Sequence, residues 1–485
     1  MANFKDEDFE IVYPGKFLPK EKEAVKAYQA KCDYINNRGP FDIQAFLDGK
    51  LADDTPDIGA VINVTENMIR YNHSKYEQDN PLYNDKEYAK KCGYVDIPAY
   101  FTFGSSDDIY VTPYIDTTRD TLLVSQISHS TTNVNPVYPG DTLYLIRDRM
   151  DYQDLTPFSG SIHRTMALRQ EGTVYNQRAE VVNKVTFSLC ESVRFFKEGK
   201  KPENMDFGMI WQAPDWLSRP SHYYTDEDYA WMKEIWKKEE IRGAEPRYWE
   251  SVRIGDRPNP TLEGPIIDSV LPSMPLGMGA GGSKTIRNEF FDPEKAKTMI
   301  RDENGIYKLP NRKDYVPAVP DGVAAVFMMD DGRKTDEQLE EEAANAPSDG
   351  TIDAVNIHKS EDRAAMINFF ERDCAIHHFN NWMGDAGKIT EIKWSIMPSE
   401  THAAYGLPVP KSPNYNYYVC QVPGMEDKIV DTHGLTRDIA YIQSEVVDKY
   451  MKTGRYFVKL IWWVQTITGE IWADGSVEIE LPHMN

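Results

Sequence analysis

Residues 122–190 hold four strand-length runs, Leu122–Ser128, Leu143–Arg149, Ile162–Gln170 and Glu180–Cys190, set apart by turn material such as Tyr138-Pro-Gly-Asp and Gln170-Glu-Gly. Short turns join consecutive strands only as antiparallel neighbours, so this stretch must make an antiparallel sheet. A second β-rich run closes the chain: Ile389–Met397, Tyr415–Val422, the very apolar Tyr456–Ile467, and Ile471–Leu481. Helical character precedes both runs. In the first half it covers Lys20–Ile35, a capped turn into a short helix at Pro40–Leu47, a strand passing into a helix at Thr65, and a further stretch from about Asn84. In the second half Arg363–Met383 is predicted as a long, largely buried helix. Met366, Phe369, Phe370, Cys374, Ile376 and Trp382 supply its apolar positions, and Gly384 and Gly387 punctuate its end. The order turn, helix, β-rich run therefore occurs twice. With no short-period repeat, the duplication lies at the scale of domains, and the fold class is α+β.

Chain length (485 residues) leaves room for two to four domains with large cores. We place a first domain at 1–200, including a helical N-terminal extension. A connector follows at 201–245, where composition shifts to Lys, Glu, Trp and Pro around a helix at Asp226–Glu240. The second domain spans 246–485 and opens on Pro246-Arg-Tyr-Trp-Glu-Ser-Val-Arg-Ile-Gly-Asp-Arg-Pro. Its irregular insert at 270–350 carries a helix near Pro293–Arg301 and an acidic, solvated helix at Thr335–Ala344.

A net charge of −23 argues against nucleic acid or an anionic membrane as the main partner. No apolar run approaches the roughly 18 residues of a membrane span, and Met1-Ala-Asn-Phe-Lys-Asp-Glu-Asp lacks a signal-peptide core. The five cysteines are scattered, without a CxxC or Cys/His cluster, so neither a disulfide framework nor a metal site is expected. The reading is a reduced, cytoplasmic, soluble protein.

Chemistry enters at Thr351–Ala364, where Asp353 precedes His358 by five positions. A helix would put these two on different faces, so their convergence requires a turn leading into a helix. A carboxylate and an imidazole on one water are what adding or removing a hydroxyl beside a carbonyl needs. The plain alternative is a surface histidine and a turn-forming aspartate.

The surrounding residues resemble the MaoC-like hydratases and dehydratases in their double hot-dog form, whose signature runs roughly G-D-x-N-P-[apolar]-H-x5-A. Glu77-Gln78-Asp79-Asn80-Pro81-Leu82-Tyr83, with Ala89, keeps the Asn-Pro-apolar core but has Gln78 and Tyr83 at the two catalytic positions. In the second half Asp353, His358 and Ala364 fit, while Ile352, Val355 and Asn356 depart from the pattern. Gly93-Tyr-Val-Asp-Ile-Pro-Ala, Tyr138-Pro-Gly-Asp-Thr-Leu and Asn381-Trp-Met-Gly-Asp-Ala-Gly add to the likeness. The resemblance implies two tandem hot-dog domains, each an antiparallel sheet wrapped around a long helix, packed as a pseudo-dimer with one functioning site. It further implies an enoyl-CoA hydratase or 3-hydroxyacyl-CoA dehydratase. Asp353 and His358 form its acid/base pair, with the roles of base and acid left open, and Gln78 and Tyr83 are structural. Backbone amides near Arg363 or Ala364 would face the thioester oxygen. No cofactor is expected beyond the CoA of an acyl-CoA substrate, and the chain is expected to associate with copies of itself. An acyl-CoA-binding subunit without chemistry and a hot-dog thioesterase are the other readings.

Four further signals stand apart. Gly277-Met-Gly-Ala-Gly-Gly282 fits G-x-G-x-x-G but follows prolines, which favours a loop over a dinucleotide site. Lys284 and Arg287, with Lys295 and Lys297, could meet CoA phosphates or form a solvated face. His377 and His378 point about 100° apart on a helix, so one is expected to be packed. Asp385 reads as a capping residue.

Overall fold

The computed structural model describes residues 5–51, 58–77, 79–101, 103–104, 122–201, 219–265, 292–308, 370–395, 434–435 and 437–484. Its first half contains α1 (Pro19–Asn37), α2 (Ile43–Leu47), β1 (Ile58–Asn63), α3 (Glu66–Tyr76), α4 (Pro81–Asn84) and α5 (Lys86–Lys91). The strands β2 (Leu122–Asn133), β3 (Thr142–Asp154), β4 (Arg164–Asn176) and β5 (Val181–Val193) follow. The second half contains α6 (Asp226–Lys238), β6 (Thr261–Glu263), α7 (Pro293–Ala296), β7 (Ile300–Arg301), β8 (Tyr307–Lys308) and α8 (Phe370–Met383). It ends with β9 (Lys388–Ser395), β10 (Ala440–Lys452), β11 (Arg455–Gln465) and β12 (Ile471–Glu480).

Ten strands form one antiparallel sheet in the order β1-β3-β4-β5-β2-β9-β12-β11-β10-β6. Outward from the central β2–β9 seam, β5, β4, β3 and β1 on one side answer β12, β11, β10 and β6 on the other. Each side is thus the same five-strand pattern: the first strand outermost, the second at the seam, and the last three a meander between them. The irregularities repeat as well. Bulges interrupt β3–β4 at Arg147/Arg149 and β10–β11 at Val446/Asp448, and the pairs β4–β5 and β11–β12 each slip near one end. The pairs β2–β5 and β12–β9 carry the third matched set. A bulge bends its strand and sharpens the twist, which lets a sheet curl around a helix. At the seam His129, Ser130, Thr131 and Thr132 pair with Trp394, Lys393, Ile392 and Glu391. Two copies of one unit joined through their equivalent strands make an isologous pair. The fold is the expected double hot-dog, α+β.

Helix α8 packs against the second half of the sheet. Cys374, Ala375, Ile376, Phe379 and Trp382 are buried against Ile392, Trp394, Leu460, Trp462 and Trp472. Burying side chains of this size contributes about 1.5–3 kcal/mol each. In the first half Tyr28, Cys32 and Ile35 of α1 and Met68 and Ile69 of α3 share a core with Leu143, Leu145, Leu168 and Val174. A buried ion pair, Arg164 Nε to Glu21 Oε1 at 2.8 Å, ties α1 to β4.

Gly475 sits across from Trp462 on β11 and Trp394 on β9. A Cβ there would lie 2.0 Å from the Lys393 carbonyl oxygen and 2.5 Å from the Trp462 ring. Gly475→Ala should therefore cost about 1–3 kcal/mol through overpacking, read as a lower urea midpoint with an unchanged slope.

Three expectations meet a different outcome. Strand β10 had no counterpart in the sequence reading, although Ala440, Ile442, Ser444 and Val446 are buried in strict alternation. The helix expected near Pro293–Arg301 stops at Ala296, and Ile300–Arg301 pairs with Tyr307–Lys308 instead. The Asp302–Gly305 turn forces this: Asn304 and Ile306 donate to the Asp302 side chain, and Gly305 takes a φ of 74° with the Tyr224 carbonyl 2.3 Å from where a Cβ would be. The connector helix ends at Lys238, short of Glu240. The strand Tyr415–Val422 and the helix Thr335–Ala344 lie outside the described residues. Among the described residues no helix is long and apolar enough to cross a membrane.

Candidate active site

The two halves meet where the turn after α3 faces α8. Asn80 caps α4, its Oδ1 accepting from the Leu82 amide at 3.0 Å, and Pro81 stands at the first helical position, where its missing N–H costs nothing. The Asn84 amide side chain closes the turn by donating to the carbonyls of Glu77 and Asn80 at 2.6 and 2.9 Å. This geometry turns Glu77 and Tyr83 inward, where both are buried. The His73 Nδ1 donates to the Tyr83 carbonyl at 2.8 Å, and burial brings His73 down to about 3, so it is neutral.

On α8, His377, Asn380 and Asn381 fall at i, i+3 and i+4 and share one face. His377 lies between two buried carboxylates: Nδ1 is 3.2 Å from Glu77 Oε1 and Nε2 is 3.2 Å from Glu239 Oε1. Asn380 donates to Glu77 at 2.8 Å and to the Tyr83 hydroxyl at 3.2 Å, and Asn381 donates to Glu239 at 2.5 Å. One imidazole thus joins the first half, the segment after α6 and the central helix of the second half. Burial works against charge on His377, but Glu77 and Glu239 outweigh it and hold the ring well above its usual 6.5. The carboxylates approach opposite ring nitrogens and do not converge on a point, as metal ligands would. His378, one position on, is the packed histidine. It bonds Ser444 Oγ at 2.8 Å and Thr261 Oγ1 at 3.2 Å, and burial lowers it to about 3.

A group raised above its unfolded value contributes stability that is complete below that value and lost as pH rises through the folded one. For His377 the loss therefore falls on the alkaline side of 6.5. The thermal midpoint should drop as pH rises above neutrality, and His377→Gln should remove that part of the drop.

The end of α8 is pinned to the segment after α6. Gly384 takes a φ of 71°, with the Glu245 carbonyl 2.7 Å from where a Cβ would be, and the Asp385 amide donates to the Gly243 carbonyl at 2.8 Å. Asp385 does not cap the helix with its side chain, as its turn setting suggested. Its Oδ2 accepts from the Tyr88 hydroxyl at 2.5 Å. Burial raises the Asp385 carboxyl above its usual range, opposed by the Tyr88 bond and reinforced by Glu77. Asp385, Asn380 and Tyr83 border a cavity of about 120 Å³ whose other walls include Tyr94, Tyr100 and Ile389.

Tyr83 stands in this junction with its hydroxyl held by Asn380. Burial, then Glu77, raises that hydroxyl well above its ordinary 10.0. Gln78, Asp353, His358, Arg363, Ala364, Lys284, Arg287 and the Gly277–Gly282 stretch lie outside the described residues.

No protein-family model matches the chain, and no curated protein does. Among solved structures, a MaoC domain dehydratase of Chloroflexus aurantiacus is similar at 12% identity. The likeness covers 88% of this chain and 95% of that one, with a TM-score of 0.39. A Mycobacterium tuberculosis protein described as having a double hot-dog fold is similar at 10% identity, over 89% and 97% of the two chains, with a TM-score of 0.40. A truncated (3R)-hydroxyacyl-ACP dehydratase complex of the same organism reaches 20% identity over 27% of this chain and 90% of that one, with a TM-score of 0.21.

Of the groups at the junction, the sequence had pointed to Tyr83, the His377-His378 pair and Asp385. Glu77 carried a usable signal, since it stands three residues before the Asn80-Pro81 turn. Glu239 carried none, being 138 positions from the histidine it meets.

Proposed function

We propose that the protein is a hydro-lyase that adds water reversibly to a 2-enoyl thioester, giving the 3-hydroxyacyl thioester, with Asp353 and His358 as the acid/base pair. One observation carries this reading: in a duplicated fold, the Asn80–Tyr83 turn of the first half lies against the helix of the second and borders a cavity. An isologous pair would set the equivalent turn of the second half against the first half in the same way. The second copy of the motif is the one that carries an acid and an imidazole.

Asp353 and His358 would hold one water between them. One group takes its proton as the oxygen bonds to C3, and a proton is delivered to C2. Charge gathering on the thioester oxygen would meet a backbone amide near Arg363 or Ala364. The substrate class is acyl-CoA, which brings the CoA with it, and Lys284 and Arg287 are the cations proposed for its phosphates. A homo-oligomeric, cytoplasmic enzyme completes the proposal. Incubation with a panel of 2-enoyl-CoA esters should add the mass of one water to at least one of them. Release of free CoA would instead identify a thioesterase, and binding without turnover a carrier subunit.

A further inference from the structure

We propose that the cavity between the Asn80–Tyr83 turn and the end of α8 is a separate binding site for a small neutral ring bearing a hydroxyl group, a phenol or cyclic alcohol. Size sets the first limit. About 120 Å³ is of the same class as the roughly 150 Å³ apolar cavity that takes benzene, and far below what an acyl-CoA requires. The walls set the second: Tyr100 and Phe101 offer ring faces, and Ile389 adds apolar surface.

The polar groups set the third. Asp385 uses Oδ2 to accept from Tyr88, and among the described residues nothing bonds its Oδ1. Asn380 spends its amide hydrogens on Glu77 and Tyr83, leaving its carbonyl oxygen as an acceptor. The Tyr83 hydroxyl accepts from Asn380 and still has its own hydrogen to donate, and Tyr94 brings a second hydroxyl. One hydroxyl can accept from both of these donors and donate to one of the two acceptors. An anion suits the site poorly. Asp385 is an acid, the whole chain carries −23, and Lys388, the one cation at the rim among the described residues, is bonded to the Val134 carbonyl at 3.2 Å. A ligand without polar atoms would leave these groups unpaired.

The proposal is independent of Asp353 and His358, and the probe is phenol itself. Titration of the whole chain with phenol, followed by calorimetry or ligand-observed NMR, should give one site per chain. Benzene and benzoate should each bind roughly tenfold more weakly or worse, the scale of one hydrogen bond to a charged group. Asp385→Ala should weaken phenol by a similar factor, and Ala99→Leu, which adds bulk to a wall, should abolish it. Saturable phenol binding with that ranking supports the site. Absence of binding to the wild-type chain, or equal binding of phenol and benzoate, overturns it without reference to any variant, so a misfolded substitution cannot decide the matter.

Discussion

His377→Ala should lower the stability of the folded chain by about 3–5 kcal/mol, the cost of removing one partner from a buried ion pair. The side chains of Glu77 and Glu239 are 0% and 1% exposed, and the imidazole between them is the cation that both contact. Without it, two buried carboxylates face each other with no cation between them, while Asn380 and Asn80 still donate to Glu77 and Asn381 to Glu239. The effect should reach beyond the local site, because the three groups come from the first half, the segment after α6 and the second half. Urea unfolding at neutral pH measures it. If electrostatics rather than lost packing is responsible, adding Glu239→Gln to His377→Ala should recover part of the loss, because one of the two stranded charges is gone. A single-variant loss below about 1 kcal/mol, the range of exposed pairs, would show that the cluster is not the clasp its geometry describes.

What the sequence disclosed, and what it withheld, follows from the range of each interaction. Caps and turns are local, and they were legible: Thr65 begins α3, Asp42 begins α2 and Gly384 ends α8, each as its residue type dictates. Strands whose apolar runs are long were placed but read short, since β2 to β5 each run past the ends expected for them. β2, β3 and β4 end on polar residues, Asn133, Asp154 and Asn176, which the ladder holds in place whatever their own preference. Strand β10 was missed for a related reason. Its buried face mixes Ala440 and Ser444 with Ile442 and Val446, and its far end, Asp448 to Lys452, is largely polar. The duplication was visible as an order of elements, but the seam between β2 and β9 was not, because pairing across 260 residues leaves no trace in spacing. The candidate site divides in the same way. The Asn-Pro turn is a local motif and was found, whereas Glu77, His377 and Glu239 become neighbours only through the packing of two domains.

The largest change in activity should come from Asp353→Asn and His358→Ala, each lowering hydration of an enoyl thioester by roughly 10²- to 10⁴-fold, the usual contribution of a positioned proton-transfer group. Among the described residues, the first-half motif position offers no substitute. Tyr83 stands where its motif would carry the imidazole, and burial raises its hydroxyl well above the ordinary 10.0, so it neither gains nor loses a proton near neutrality. On the proposed mechanism, proton transfer therefore comes from the second copy. The double variant supplies the sharper test. Two groups that handle the same water act as a unit, so removing both should cost little more than removing either. Two groups that act independently should instead multiply their losses. Binding of the thioester should persist in all three variants, because neither side chain is asked to hold the acyl chain. Single variants that retain full activity would remove the pair from the mechanism, and multiplicative losses would place Asp353 and His358 on different steps.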